Sequence, residues 1–219
     1  MRTRMLTFLA VLTLGAVICL PGMALAGTLI FDETTFLTDI QPGYYLEDFN
    51  SLTNNGSNPA SLTFGPVNGF SYTASATGAN AAGLYPLNSA LSLNDSRSTL
   101  LITFTGAPVT AVGGQFFPTD FAGNDTNGNM LVTFSDGTQQ LITMSNLTRP
   151  FLGYSVSLDG PSIASLSFNN NNWPTNDQNF PTIDHLYAGT QVPIPGALVL
   201  LGAGMVRLVA YRRRKRALA

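Results

Sequence analysis

Apolar residues recur at every second position in short runs along most of this chain, and the runs are separated by Gly, Pro, Asn and Asp. Residues 45–49, 61–64, 70–74, 90–93, 98–104, 109–117, 130–134, 138–144, 151–156 and 163–168 all have this character, rich in Thr, Ser, Val, Ile and Phe. A period of two with β-branched and aromatic side chains predicts half-buried strands, and the turn-formers between them predict tight connections. The clearest case is a hairpin. Met130, Val132 and Phe134 alternate with Leu131, Thr133 and Ser135, Asp136-Gly137 suits a two-residue type I′ turn, and Gln140, Ile142 and Met144 alternate on the return.

Between positions 43 and 191 no window keeps a helical period, because β-branched and turn-forming residues interrupt each candidate. A helical turn is expected only within residues 31–40, with Asp32 as its N-cap and the segment packed on the edge of the sheets. Many evenly spaced short strands in one body predict an all-β sandwich rather than an open sheet.

The two ends break the pattern. Arg2 and Arg4, an apolar stretch from Met5 to Leu20, Pro21-Gly22 and the small-x-small Ala24-Leu25-Ala26 read as a secretory signal peptide, cut before Gly27. At the other end Val192-Pro193-Ile194-Pro195-Gly196 leads into an apolar run, closed by the basic stop Arg212, Arg213, Arg214, Lys215 and Arg216. From Pro195 to Tyr211 a helix would span about 25 Å, within the lower limit for crossing a bilayer, and Arg207 can snorkel to the basic interface. The expected organisation is a signal peptide over residues 1–26, one β-sandwich domain over 27–190 and a sorting tail over 191–219.

Charge divides along the same lines. Residues 27–191 hold all 12 acidic residues against only Arg97 and Arg149, a net charge of −10, and no cysteine. Nucleic acid and anionic lipid need Lys and Arg to neutralise phosphate, so neither is an expected partner. Without disulfides the hydrophobic core must hold the fold.

The tail resembles the PEP-CTERM sorting signal of Gram-negative bacteria in Val192, Pro193, Pro195, the Gly196-Ala197-Leu198 start, Leu200-Leu201-Gly202-Ala203-Gly204 and the terminal Arg cluster. It departs in Ile194, where Glu is familiar, and in Arg207. The resemblance implies a membrane cysteine protease of the exosortase type as partner, transient anchoring in the inner membrane, and delivery to the cell surface or medium.

Leu46-Glu47-Asp48-Phe49, the segments 112–121 and 132–138, and Phe180-Pro181-Thr182-Ile183-Asp184-His185-Leu186-Tyr187-Ala188-Gly189 look like a group of secreted PEP-CTERM proteins. That group resembles galactose-binding-like and carbohydrate-binding-module jelly rolls. The resemblance implies neighbouring first and last strands, and it makes Glu47, Asp48 and Asp184 candidates for a structural Ca²⁺, which takes six to eight oxygens. Residues 120–129 are a second oxygen-rich stretch, but they lack the EF-hand's twelfth-position Glu and read better as a polar hairpin loop.

Trp173, within an Asn-rich stretch, is the candidate platform for a sugar ring, and Tyr44, Tyr45, Tyr72 and Tyr85 could add aromatic surface. Catalytic residues are not assigned. The body has one histidine, His185, and no lysine, and alternation along a strand sends Asp184 and His185 to opposite faces. The expected function is therefore a non-enzymatic protein of the cell surface or extracellular matrix, associated with exopolysaccharide. A sugar-binding module and a carboxylate-dependent glycoside hydrolase are the alternatives.

Overall fold

A computed structural model describes residues 27–53, 56–78, 81–87, 89–170 and 178–193. The expected signal peptide, Trp173, Ile194, Pro195, Gly196, the tail helix and the basic stop lie outside the described residues. Among the described residues no helix is long and apolar enough to cross a membrane.

The elements run β1 (Thr28–Ile30), α1 (Glu33–Asp39), β2 (Tyr45–Glu47), β3 (Ser61–Val67), β4 (Phe70–Thr77), β5 (Leu84–Leu87), β6 (Ala90–Leu93), β7 (Thr99–Gly106), β8 (Ala111–Thr119), β9 (Gly128–Phe134), β10 (Gln139–Met144), β11 (Phe151–Ser155), β12 (Ser165–Asn170) and β13 (Phe180–Gly189). They form two antiparallel sheets, as the period-two pattern predicts. The first has the order β1-β11-β8-β13-β6-β5, with β2 also beside β13; the second is β10-β9-β12-β7-β4-β3.

The core lies between the sheets. Tyr45 from β2 packs on Tyr72 from β4 with ring centroids 5.7 Å apart, Phe116 from β8 meets the edge of Phe168 from β12 at 5.3 Å, and Phe134 from β9 stacks on Tyr154 from β11 at 4.2 Å. Each pair spans the interface, so burial and ring geometry hold the two layers face to face. Tyr45 and Tyr72 are therefore core residues and add nothing to an aromatic surface.

The two outer faces differ. The second sheet shows hydroxyls to water: Thr63, Thr73, Thr103 and Ser165 stand in register across four strands, and Ser61, Ser75, Leu101, Ser167 and Thr133 across five. None of its six strands carries a charged residue. The first sheet is covered instead, and its central strands β8 and β13 are buried on both faces for nearly their whole length.

Part of that cover is α1. Its N-cap is Asp32, whose Oδ1 accepts the Thr35 backbone N–H at 2.7 Å, as expected. The helix does not sit at the sandwich edge, however. Phe36 is fully buried on the outer face of the first sheet, in contact with the Phe151 and Tyr187 rings, because Gly113 and Gly153 leave room for it. A Cβ on Gly153 would fall 2.5 Å from Phe36 Cδ2. Two glycines on adjacent strands, not an edge, set the docking site.

The β9–β10 hairpin also departs from expectation. Gly137 alone has positive φ, at 88°, and both Phe134 N–H to Thr138 O and Gly137 N–H to Phe134 O bonds form. The turn is therefore a three-residue loop, Ser135-Asp136-Gly137, with the glycine in the left-handed position, rather than a type I′ pair. Asp136 adds a bond from the Thr138 N–H at 2.9 Å.

Short β1 and β5 carry too few residues to show a period, and the pattern did not reveal them. β2 and β13 lie side by side, Glu47 opposite Leu186, but the first strand, β1, pairs with β11 and not with the last.

Candidate functional site

Asp184 sits on the outer face of β13 and is buried, with 4% of its surface exposed. The strand carries a β-bulge between Asp184 and Tyr187, where His185 adopts φ 49°. That kink overturns the expectation of opposite faces. The His185 backbone N–H donates to Asp184 Oδ1 at 2.7 Å, and its Nδ1 lies 3.0 Å from the same oxygen without the alignment of a hydrogen bond. A non-glycine residue at positive φ is costly unless its surroundings require it, and here the bulge turns both groups to one side.

The other Asp184 oxygen accepts from Arg149 Nη1 at 3.1 Å. Arg149, in the loop entering β11, holds Asp125 at the same time through two parallel bonds, Nε to Oδ2 at 2.8 Å and Nη2 to Oδ1 at 3.0 Å. Its guanidinium carbon lies 4.1 Å above the Phe117 ring. One cation thus joins β13 to the 120–125 loop over an aromatic floor, using the planar fork that Lys lacks.

The candidate calcium residues are brought near one another in the fold but do not form a shared ligand set. Glu47 accepts from Tyr45 Oη at 2.6 Å and from the Phe49 N–H at 3.0 Å, and Asp48 accepts from the Asn50 N–H at 3.1 Å and from its Nδ2 at 2.8 Å. With Asp184 occupied by Arg149 and His185, each of the six carboxylate oxygens already faces a protein donor. Among the described residues no group of three or more His, Cys, Asp or Glu side chains is placed to hold an ion. Of the three, Asp184 alone is paired with a guanidinium. The Asn50 bonds, backbone before side chain, hold the Asp48 carboxyl below its usual range.

The loop after β8 is built on Asp120. Its Oδ1 accepts the N–H groups of Ala122 and Asn124, both at 2.8 Å, and Oδ2 accepts Asn124 Nδ2 at 3.1 Å. The Asn124 side chain and backbone hold this carboxyl below the ordinary range. A bridge between Thr119 and Asp125 closes the loop, and Gly123 turns at φ 83° so close to Leu87 that a Cβ would fall 2.8 Å from Leu87 Cδ2. Phe121, at the loop's tip, is left 80% exposed.

Under that tip the outer face forms a shallow open indentation. Tyr85 of β5, Phe121 and Phe180 of β13 supply rings to its walls, and Asn94 and Asp120 supply polar groups at its rim. Its floor includes Ser92 and Thr119, both buried. They are joined through Thr182, whose Oγ1 lies 2.8 Å from each hydroxyl.

Tyr85 is the one tyrosine of the four anticipated that lines a recess; Tyr44 packs edge-on against Tyr187. Phe121 and Phe180 were not anticipated at all. The available clue was an aromatic inside a polar loop, Asp120-Phe121-Ala122-Gly123, where no apolar period calls for one. No protein-family model matches this chain, and neither a curated protein nor a solved structure does.

Proposed function

We propose that this protein is an exported, non-enzymatic component of the cell surface or extracellular matrix, a jelly-roll-like sandwich carried between a signal peptide and a C-terminal sorting tail. One observation carries the reading: the described strands all fall between the two expected processing points. β1 begins at Thr28, just after the cleavage expected behind Ala26, and Gly27 already lies against the Tyr154 ring. At the other end the chain is fastened by Gln41 N–H to Thr190 O at 2.8 Å and by Val192 N–H to Asp39 O at 2.7 Å, and it leaves the body at the exposed Val192 and Pro193. Removing either end would cost the sandwich none of its described strands. The pairing of β2 with β13 supports the jelly-roll reading.

Association with a neutral, hydrated polymer is supported by the second sheet, whose charge-free rows of Ser and Thr can both donate and accept hydrogen bonds. The hydrolase alternative needs two carboxylates facing across a cleft. Among the described residues the indentation holds one, Asp120.

Fractionation with mass spectrometry in an exosortase-bearing Gram-negative host tests the proposal. The expected product is extracytoplasmic, begins at Gly27 and ends near Val192–Gly196. Intact chain in the cytosol would overturn it.

A further inference from the structure

We infer that the indentation beside Phe121 is a binding site for one ring of a neutral sugar. The inference rests on the reading of this protein as a polymer-associated surface component, and it adds a defined ring site on the first sheet to the hydroxyl-bearing face of the second.

Phe121 is the starting point. A phenyl ring held in water contributes nothing to the core, yet the loop that carries it is closely specified. Three bonds to the Asp120 carboxylate shape its turn, the Gly123 contact with Leu87 seats it, and the Arg149 fork on Asp125 ties its base to Asp184 on the neighbouring strand. The backbone that carries the ring is therefore held in one place. A ring on a held backbone loses less freedom when a ligand stacks on it, which is the main advantage of preorganisation.

The surroundings specify the ligand. Tyr85 and Phe180 continue the apolar surface, and the Phe121 and Phe180 centroids are 6.3 Å apart, so the rings form an open tilted wall rather than a closed core pair. Apolar C–H faces of a pyranose suit such a wall. The polar groups close by are hydroxyls, an amide and one carboxylate, which can exchange hydrogen bonds with sugar hydroxyls. Among the described residues no Lys, Arg or His lines the recess, and the body's net charge is −10, so phosphorylated, sulfated or uronic ligands are disfavoured. The recess is shallow and open, so a single ring would rest against the aromatic wall with its chain running out on both sides.

The buried Ser92, Thr182 and Thr119 hydroxyls beneath the rings are a second observation. An apolar floor would have cost less to bury, and three linked hydroxyls keep the bottom of the recess polar while satisfying one another.

The test uses the full chain, expressed in an exosortase-bearing host and purified from whichever fraction holds it. It is titrated calorimetrically with neutral tetrasaccharides of glucose, galactose, mannose and xylose, and with an oligogalacturonate as the charged control. The expected result is saturable binding of at least one neutral tetramer, none of the oligogalacturonate, a loss of about tenfold or more in affinity in Phe121→Ala, and retention in Phe121→Trp. Thermal melts check that Phe121→Ala remains folded, which its exposure favours. Wild type that binds no tetramer, unaltered binding in folded Phe121→Ala, preference for the oligogalacturonate, or binding abolished by Trp173→Ala but not by Phe121→Ala would each overturn the inference. Localisation is read from the fractions independently, so an exported protein that binds no sugar refutes this site alone.

Discussion

Arg149 and Asp184 meet at 3.1 Å on the outer face of the first sheet, and the contact joins the closing strand to a loop that comes much earlier in the chain. The Asp184 side chain is 6% exposed, whereas the Arg149 side chain keeps 33% of its surface in water. The carboxylate is thus the group that depends on the pair. Arg149→Met should destabilise the fold by about 2 kcal/mol, mostly the cost of leaving a buried carboxylate unpaired, and Arg149→Met with Asp184→Asn should recover part of that loss. Urea midpoints of the two variants check it, and a double variant less stable than the single would refute it.

Arg149 pairs with both Asp125 and Asp184, and we expect the fold not to depend on a cation from solution. Thermal midpoints measured with millimolar calcium and with excess chelator should coincide. A ligand that binds only the folded state raises the midpoint with its concentration, so a calcium-dependent rise would restore the clamp at Glu47, Asp48 and Asp184.

Phe36 on Gly153 makes the second prediction about packing. Gly153→Ala should cost about 2 kcal/mol, since the added methyl must displace a buried ring, and Phe36→Ala about 4 kcal/mol through the cavity it leaves. The double variant should fall short of the sum, because the small residue relieves the clash. Chemical denaturation of the three variants decides it, and strict additivity would show that the two positions do not share a contact.

Stability should hold a plateau from about pH 5 to 9. The carboxyls of Asp32, Asp95 and Asp120 are held below their ordinary range by bonds from Thr35, Arg97 and Asn124, and Asp136 stays low because bonds from Tyr154 and Thr138 outweigh the opposing effect of its burial. A depressed carboxyl stabilises the fold above its unfolded pKa and loses that contribution as pH falls through the folded value, so acid weakens the protein below about pH 4. Burial, and then the nearby Glu47 and Glu33, push the Tyr45 and Tyr187 phenols up, and burial does the same for Tyr72. Their contribution is present below about pH 10 and is lost as the unfolded chain ionises above it. Urea midpoints across pH 2–11 should show both flanks; stability that keeps rising above pH 10 would contradict the tyrosine assignment.

Much of the sandwich was legible because alternation is local. Val132 and Phe134 must face one way if Leu131 and Thr133 face the other, and Asp32 needs only Thr35 nearby to start a helix. Local chemistry also marked the turn at Gly137, though not its length, since two- and three-residue loops use the same glycine and differ only in how the strands pair. The bulge at His185 escaped for a related reason: one inserted residue reverses every later side chain, and it is set by what β2 and β8 offer on either side of β13.

What the sequence determined by itself is the all-β character and the capped helical turn, along with an acidic, cysteine-free body between two apolar ends. The tertiary structure alone decided that Arg149 serves two distant carboxylates, that Gly113 and Gly153 receive Phe36, and that Tyr85, Phe121 and Phe180 gather around one recess. The first group follows from preferences of residues a few positions apart. The second depends on which strands lie side by side, and that is settled only when the whole core closes.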